Sequence, residues 1–118
     1  EVMEGVLNEA NDGPEYLYIS FDIDVLDPAY TPGTGTPESG GLTPREVFPL
    51  IRTLCSENNL VGFDLVELNP LVDPGYTTVL NSSMIVQECL TGIAMRKKGI
   101  TERGYLDPLR LYDDPEEE

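Results

Sequence analysis

The stretch Tyr16-Leu17-Tyr18-Ile19-Ser20-Phe21-Asp22-Ile23-Asp24 decides how this chain folds. Residues 16–21 are aromatic, branched and nearly all apolar, which predicts a strand buried on both faces of a parallel sheet. Upstream, Asn11-Asp12-Gly13-Pro14 is a strong turn signal. It closes a helix expected over residues 1–10, with Val2, Val6 and Leu7 on one side. Downstream comes a loop over roughly residues 23–42, rich in Gly, Pro and Thr. Loops of that length inside a compact domain are usually functional.

Thr43-Pro44-Arg45-Glu46 then reads as a capping box with proline at the first helical position. Val47, Leu50, Ile51 and Leu54 give the following helix one apolar stripe. Pro49 should kink that helix or loosen its start. Leu60 to Val66 reads as a second buried strand. A helix from about Thr77 to Lys98 is apolar nearly all round and should be deeply packed. Gly99 is its expected stop, with Arg96, Lys97 and Lys98 in the last turn. Residues 100–118 read as irregular. Strand, capped helix, strand is one βαβ unit, with parallel strands and a right-handed crossover. Two parallel strands cannot stand alone, since their outer edges keep unpaired backbone groups. The chain opens on Glu1 within a helical pattern, so further strands are expected from sequence upstream.

Composition narrows the function. The chain has 118 residues, 40% hydrophobic and 8% aromatic, enough to build a core. Its formal charge of -15 argues against nucleic acid and against anionic membranes, and favours a metal ion or a cationic small molecule. Asp113, Asp114, Glu116, Glu117 and Glu118 form an acidic tail to which no role is given. Cys55 and Cys89 lie in apolar helical patterns without a CxxC motif, which fits buried reduced thiols. With no signal peptide and no spanning run, the cytoplasm is the expected compartment.

The chemistry centres on Asp22 and Asp24. Side chains two apart in an extended segment point the same way, with Cα atoms roughly 6–7 Å apart. Two carboxylates so placed repel unless a cation lies between them, and the carboxyl ends of strands are where α/β sheets bind ligands. A solvated acidic loop is the plainer alternative. A calcium loop is excluded, because Leu26, Asp27 and Gly33 stand where that motif needs a ligand, a glycine and a glutamate. The loop Pro32-Gly33-Thr34-Gly35-Thr36-Pro37-Glu38-Ser39-Gly40-Gly41 lacks the ending of a phosphate cradle and does not open a helix as a dinucleotide fingerprint does. It is either a rigid connector or a wall of a pocket. Glu67 follows the second strand, at the sheet edge expected for Asp22 and Asp24, where it could hold a planar cation by paired hydrogen bonds. Asp64, inside the strand, should make internal hydrogen bonds instead.

Taken together, SFDIDVLDPAYTPGTGTPESGGLTPRE (residues 20–46) and GFDLVELNP (residues 62–70) resemble the late signature of the arginase/agmatinase (ureohydrolase) family. The resemblance runs from about Tyr16 to Lys98. It implies an α/β fold, a three-layer α/β/α arrangement with a parallel sheet, of which this chain is the C-terminal part of a single domain. It further implies a binuclear manganese centre, with nickel as the other candidate ion, to which Asp22 and Asp24 contribute as metal ligands. Glu67 matches the glutamate that receives the substrate. The implied reaction is hydrolysis of a guanidino compound to urea and an amine. The PGTGTPE loop is closer to agmatinase-like enzymes than to arginases. Asp24 argues against the related deacetylases, which use an Asp-x-His pair.

One departure stands out. The family's two histidines, two further aspartates and proton-shuttling histidine come from upstream strands, and this chain contains no histidine. No catalytic residue is assigned within it. The 118 residues alone are expected to be inactive, the whole protein an enzyme, assembled as a homo-oligomer, trimer or hexamer. The alternatives are a non-catalytic ureohydrolase-like subunit and a small acidic metal-binding module.

Overall fold

A computed structural model describes residues 2–102 of the chain. The acidic run Asp113–Glu118 and the irregular segment expected beyond residue 102 lie outside the described residues. The order of elements is α1 (Val2–Asn11), β1 (Leu17–Asp22), α2 (Pro44–Glu57), β2 (Leu60–Val66) and α3 (Thr77–Lys97). Short 3-10 turns occupy Ile23–Val25, Pro70–Val72 and Pro74–Tyr76. The two strands pair in parallel, with Ser20 opposite Asp64 and Asp22 opposite Val66. The chain is α/β, built on the βαβ unit that the sequence implies.

Local sequence accounts for the boundaries. Glu46 accepts hydrogen bonds from both the backbone N–H and the hydroxyl of Thr43, each 2.8 Å, which fixes the start of α2. These bonds hold the Glu46 carboxyl below its ordinary value. α2 runs on through Pro49. Proline there forfeits a single N–H bond to the carbonyl of Arg45, one turn from the helix start, and the buried stripe on both sides outweighs that loss. At the far end of α3, Gly99 takes φ +78 and donates to the carbonyl of Arg96, closing the helix where the sequence placed its stop.

The core lies on one face of the sheet. Phe21 and Ile23 pack with Val47, Ile51 and Cys55 of α2 and with Ile85 and Cys89 of α3, and Ile19, Phe63 and Leu65 border them. Arg52 of α2 and the buried Glu88 of α3 form a two-pronged ion pair, with Arg52 Nη2 donating to Glu88 Oε1 at 2.9 Å. Both cysteines are buried and free, as the sequence suggested.

Two expectations need correction. β1 is not covered on both faces among the described residues, because Tyr18 and Ser20 point away from α2 and α3 and stay exposed. Leu17, Ile19 and Phe21 alternate with Tyr18, Ser20 and Asp22, a period of two that the apolar run obscured. Nor is α3 deeply packed all round. Its buried line is Thr78, Ser82, Ile85, Glu88, Cys89 and Gly92, while Leu80 and Leu90 remain 64% and 59% exposed. Small and polar residues take the inner stripe because α2 crosses so close, and the larger apolar residues are left outward.

Candidate functional site

Both strands release their acidic residues at the same edge. Asp22 ends β1 opposite Val66, so Glu67 emerges one residue beyond the partner of Asp22. Asp24 departs from the extended geometry that its spacing suggested, for it sits in the 3-10 turn Ile23–Val25. The Asp22 carboxylate caps that turn by accepting the backbone N–H of Asp24 at 3.1 Å. The side chains still converge. Burial pushes the Asp22 carboxyl above its ordinary value, and the Asp24 side chain and the charges of Asp24 and Glu67 add to the rise, against the lowering by the Asp24 N–H. Among the described residues, the charges that act on Asp22 are those of Asp24 and Glu67, both negative.

Glu67 itself has φ +65, in the left-handed region that non-glycine residues seldom occupy. Such strain persists only where the surroundings impose it, and it clusters at functional sites. It turns the chain sharply at the strand end and leaves the glutamate exposed.

The loop after β1 is tied down at several points. Asp27 accepts the N–H groups of Ala29 at 2.9 Å and Gly40 at 2.8 Å, which close its two ends. Those bonds hold the Asp27 carboxyl below its ordinary value. Further along, the Thr36 hydroxyl donates to Asp24 Oδ2 at 2.8 Å. Thr36 thus touches a candidate ligand, and its place twelve residues after Asp24 gave no signal of it. The PGTGTP loop serves as a rigid connector that also delivers a side chain to the acidic cluster. As expected, Asp64 is engaged internally, accepting from Ser20 Oγ at 2.7 Å and from Tyr18 Oη.

Carboxylate oxygens suit hard and borderline divalent ions. Among the described residues, no three or more His, Cys, Asp or Glu side chains gather closely enough to hold a metal ion. Asp22 and Asp24 fit such an ion as a pair of donors short of a full set. A cavity lined by Cys55, Asn59, Leu60, Ile93, Arg96 and Lys97 lies at the amino end of β2, opposite the acidic edge, and takes no part.

Comparison with known proteins fits this arrangement. A model of the arginase family matches residues 1–92. This chain belongs to the arginase family. It is 49% identical over 87 residues to a mitochondrial agmatinase of Gallus gallus, covering 73% of this chain and 25% of that protein. It is 48% identical over 81 residues to a mitochondrial guanidino acid hydrolase of Homo sapiens, covering 69% and 23% respectively. Among solved structures, proclavaminate amidino hydrolase of Streptomyces clavuligerus is similar at a TM-score of 0.71 and 41% identity, over 80% of this chain and 32% of that one. The arginase-family fold is thereby shown for this chain, which spans about a quarter of the length of those curated relatives. Among the described residues, no helix is long and apolar enough to cross a membrane.

Proposed function

We propose that this chain is the C-terminal part of a metal-dependent amidinohydrolase of agmatinase type, which cleaves a guanidino compound to urea and an amine. The observation that carries the reading is the placement of Asp22, Asp24 and Glu67 at one sheet edge, where the charges acting on Asp22 among the described residues are those of Asp24 and Glu67. A cation is the missing complement of such a cluster. Relatives whose names specify agmatinase and guanidino acid hydrolase support the substrate class.

In this reading Asp22 and Asp24 hold a binuclear manganese centre, or nickel in its place, together with ligands from elsewhere in the whole protein. When bound, such a metal pair supplies a water acidic enough to act near neutral pH. Thr36 orients Asp24. Glu67 accepts the guanidinium by charge-assisted hydrogen bonds and sets its carbon over the acidic edge. In this reading the 118 residues alone are inactive, for they carry no histidine and the described residues hold an incomplete donor set. The whole protein forms trimers or hexamers, as its resemblance to the family implies. Two free buried thiols support a reducing compartment such as the cytoplasm.

The test is a urea-release screen of the whole protein against agmatine, guanidinobutyrate, guanidinopropionate and guanidine. One of them should yield urea in a metal-dependent way. Asp22→Asn and Asp24→Asn should each lower both metal content and urea release. Full activity in both variants would sink the assignment. Tight binding of two manganese ions by the 118 residues alone would refute the incomplete site.

A further inference from the structure

The loops after β1 and β2 carry different parts of the acidic edge, Asp24 with Thr36 on the first and Glu67 on the second, and they meet at Gly33. Its carbonyl accepts the N–H of Asn69 at 2.8 Å, and its own N–H donates to Thr78 Oγ1 at 2.7 Å. Thr78 is fully buried in the first turn of α3. That turn is capped from the second loop, since the Asp73 carboxylate accepts the N–H groups of Thr78 and Val79, each at 3.0 Å. Both loops and α3 are therefore knotted through one glycine. The knot has no slack: a Cβ at Gly33 would lie 2.5 Å from Asp73 Cβ and 2.9 Å from Thr78 Oγ1.

We propose that Thr78 is a positioning residue for Glu67. It acts through Gly33 and Asn69, and the proposal rests on the guanidinium-binding role given above to Glu67. The chain of contacts is short. Thr78 pins Gly33, Gly33 pins Asn69, and Asn69 lies two residues beyond Glu67, whose left-handed backbone holds only while its surroundings impose it. Without the hydroxyl, the buried N–H of Gly33 loses its acceptor and the loop lifts to find water. Asn69 is released with it. Glu67 then samples other backbone conformations, and its carboxylate no longer waits at one distance from Asp22 and Asp24. Thr78 itself touches no substrate, being covered on all sides.

The experiment uses the whole metal-loaded protein with Thr78→Val and Thr78→Ser, and the guanidino substrate found by the urea screen. Valine keeps the shape and removes the hydroxyl; serine keeps the hydroxyl. Thr78→Val should raise KM about five- to tenfold, with kcat within about twofold and metal content unchanged. Thr78→Ser should match the parent on all three. A merely structural role would instead lower kcat per chain, as active protein is lost, and leave KM alone; that pattern overturns the proposal. So does failure of the serine variant alongside valine. Should the valine variant not fold, amide hydrogen exchange on the unsubstituted protein decides. The Gly33 and Asn69 amides should be protected to the same degree as the first turn of α3, and rapid exchange at both overturns the knot. If the unsubstituted protein releases no urea from any guanidino compound, the functional reading fails on its own, and the exchange of these two amides still decides whether the loops are clasped.

Discussion

Thr36 Oγ1 donates a 2.8 Å hydrogen bond to Asp24 Oδ2, so one oxygen of that carboxylate is spoken for by its own chain. Groups that hold a metal-binding side chain in place from behind are worth roughly ten- to a hundredfold in metal affinity. With Asp24 in the metal-binding role proposed for it, Thr36→Val in the whole protein should therefore weaken manganese binding by a factor in that range, with Thr36→Ser close to the parent. Equilibrium dialysis against manganese measures both, and an unchanged affinity in the valine variant would remove Thr36 from the site.

Asp27 offers a test by acidity. Its folded carboxyl titrates below its ordinary value, first because of the Ala29 N–H and then because of the Gly40 N–H. A carboxyl lowered by folding lends stability that is complete above its unfolded value and vanishes as pH falls through the folded one. Asp27→Asn should thus be less stable than the parent at neutral pH, and the gap should narrow as the pH drops below about 4. Urea denaturation at a series of pH values gives the comparison; a constant gap would show that the charge of Asp27 is not what matters.

Two glycines should answer oppositely to alanine. At Gly92 of α3, a Cβ would sit 2.5 Å from the carbonyl oxygen of Arg52 and 2.6 Å from the Cβ of Cys55. Gly92→Ala must push α3 off α2 and should cost about 1–3 kcal/mol. At Gly5 in α1, a Cβ meets no atom within 4 Å. Gly5→Ala should stabilise by about 0.5–1 kcal/mol through helix propensity. Thermal melting of the two variants should shift in opposite directions.

Glu67 should show a trade between stability and binding. Its φ of +65 is one that glycine adopts freely. Glu67→Gly should raise the denaturation midpoint, by an amount set by about 1 kcal/mol or more of relieved strain, while, in the role proposed for Glu67, guanidino-compound binding collapses. Glu67→Gln keeps the strain and weakens binding alone. A glycine variant no more stable than the parent would show that the left-handed turn is not strained.

The fold was legible where the sequence speaks locally. Thr43 and Glu46 announce the start of α2, Gly99 ends α3, and Leu60–Val66 matches β2 residue for residue. The placement of Asp22 and Glu67 at one edge followed from strand direction alone. What escaped the sequence depended on partners far along the chain. Thr36 meets Asp24 across a loop, and Thr78 meets Gly33 across 45 positions, and neither pairing has a periodicity to betray it. The backbone twist at Glu67 was also hidden, because a glutamate carries no mark of the left-handed region. The apolar surplus of α3 misled in the other direction, since hydrophobicity reports a need for cover and not its supplier.

On the open face of the sheet, Tyr18 and Ser20 each bring a donor to a different oxygen of Asp64, one strand over. Those bonds hold the Asp64 carboxyl below its ordinary value. The cross-strand triad thus lies within two neighbouring strands. A layer that comes to lie over it meets a carboxylate that already accepts two hydrogen bonds from its own sheet.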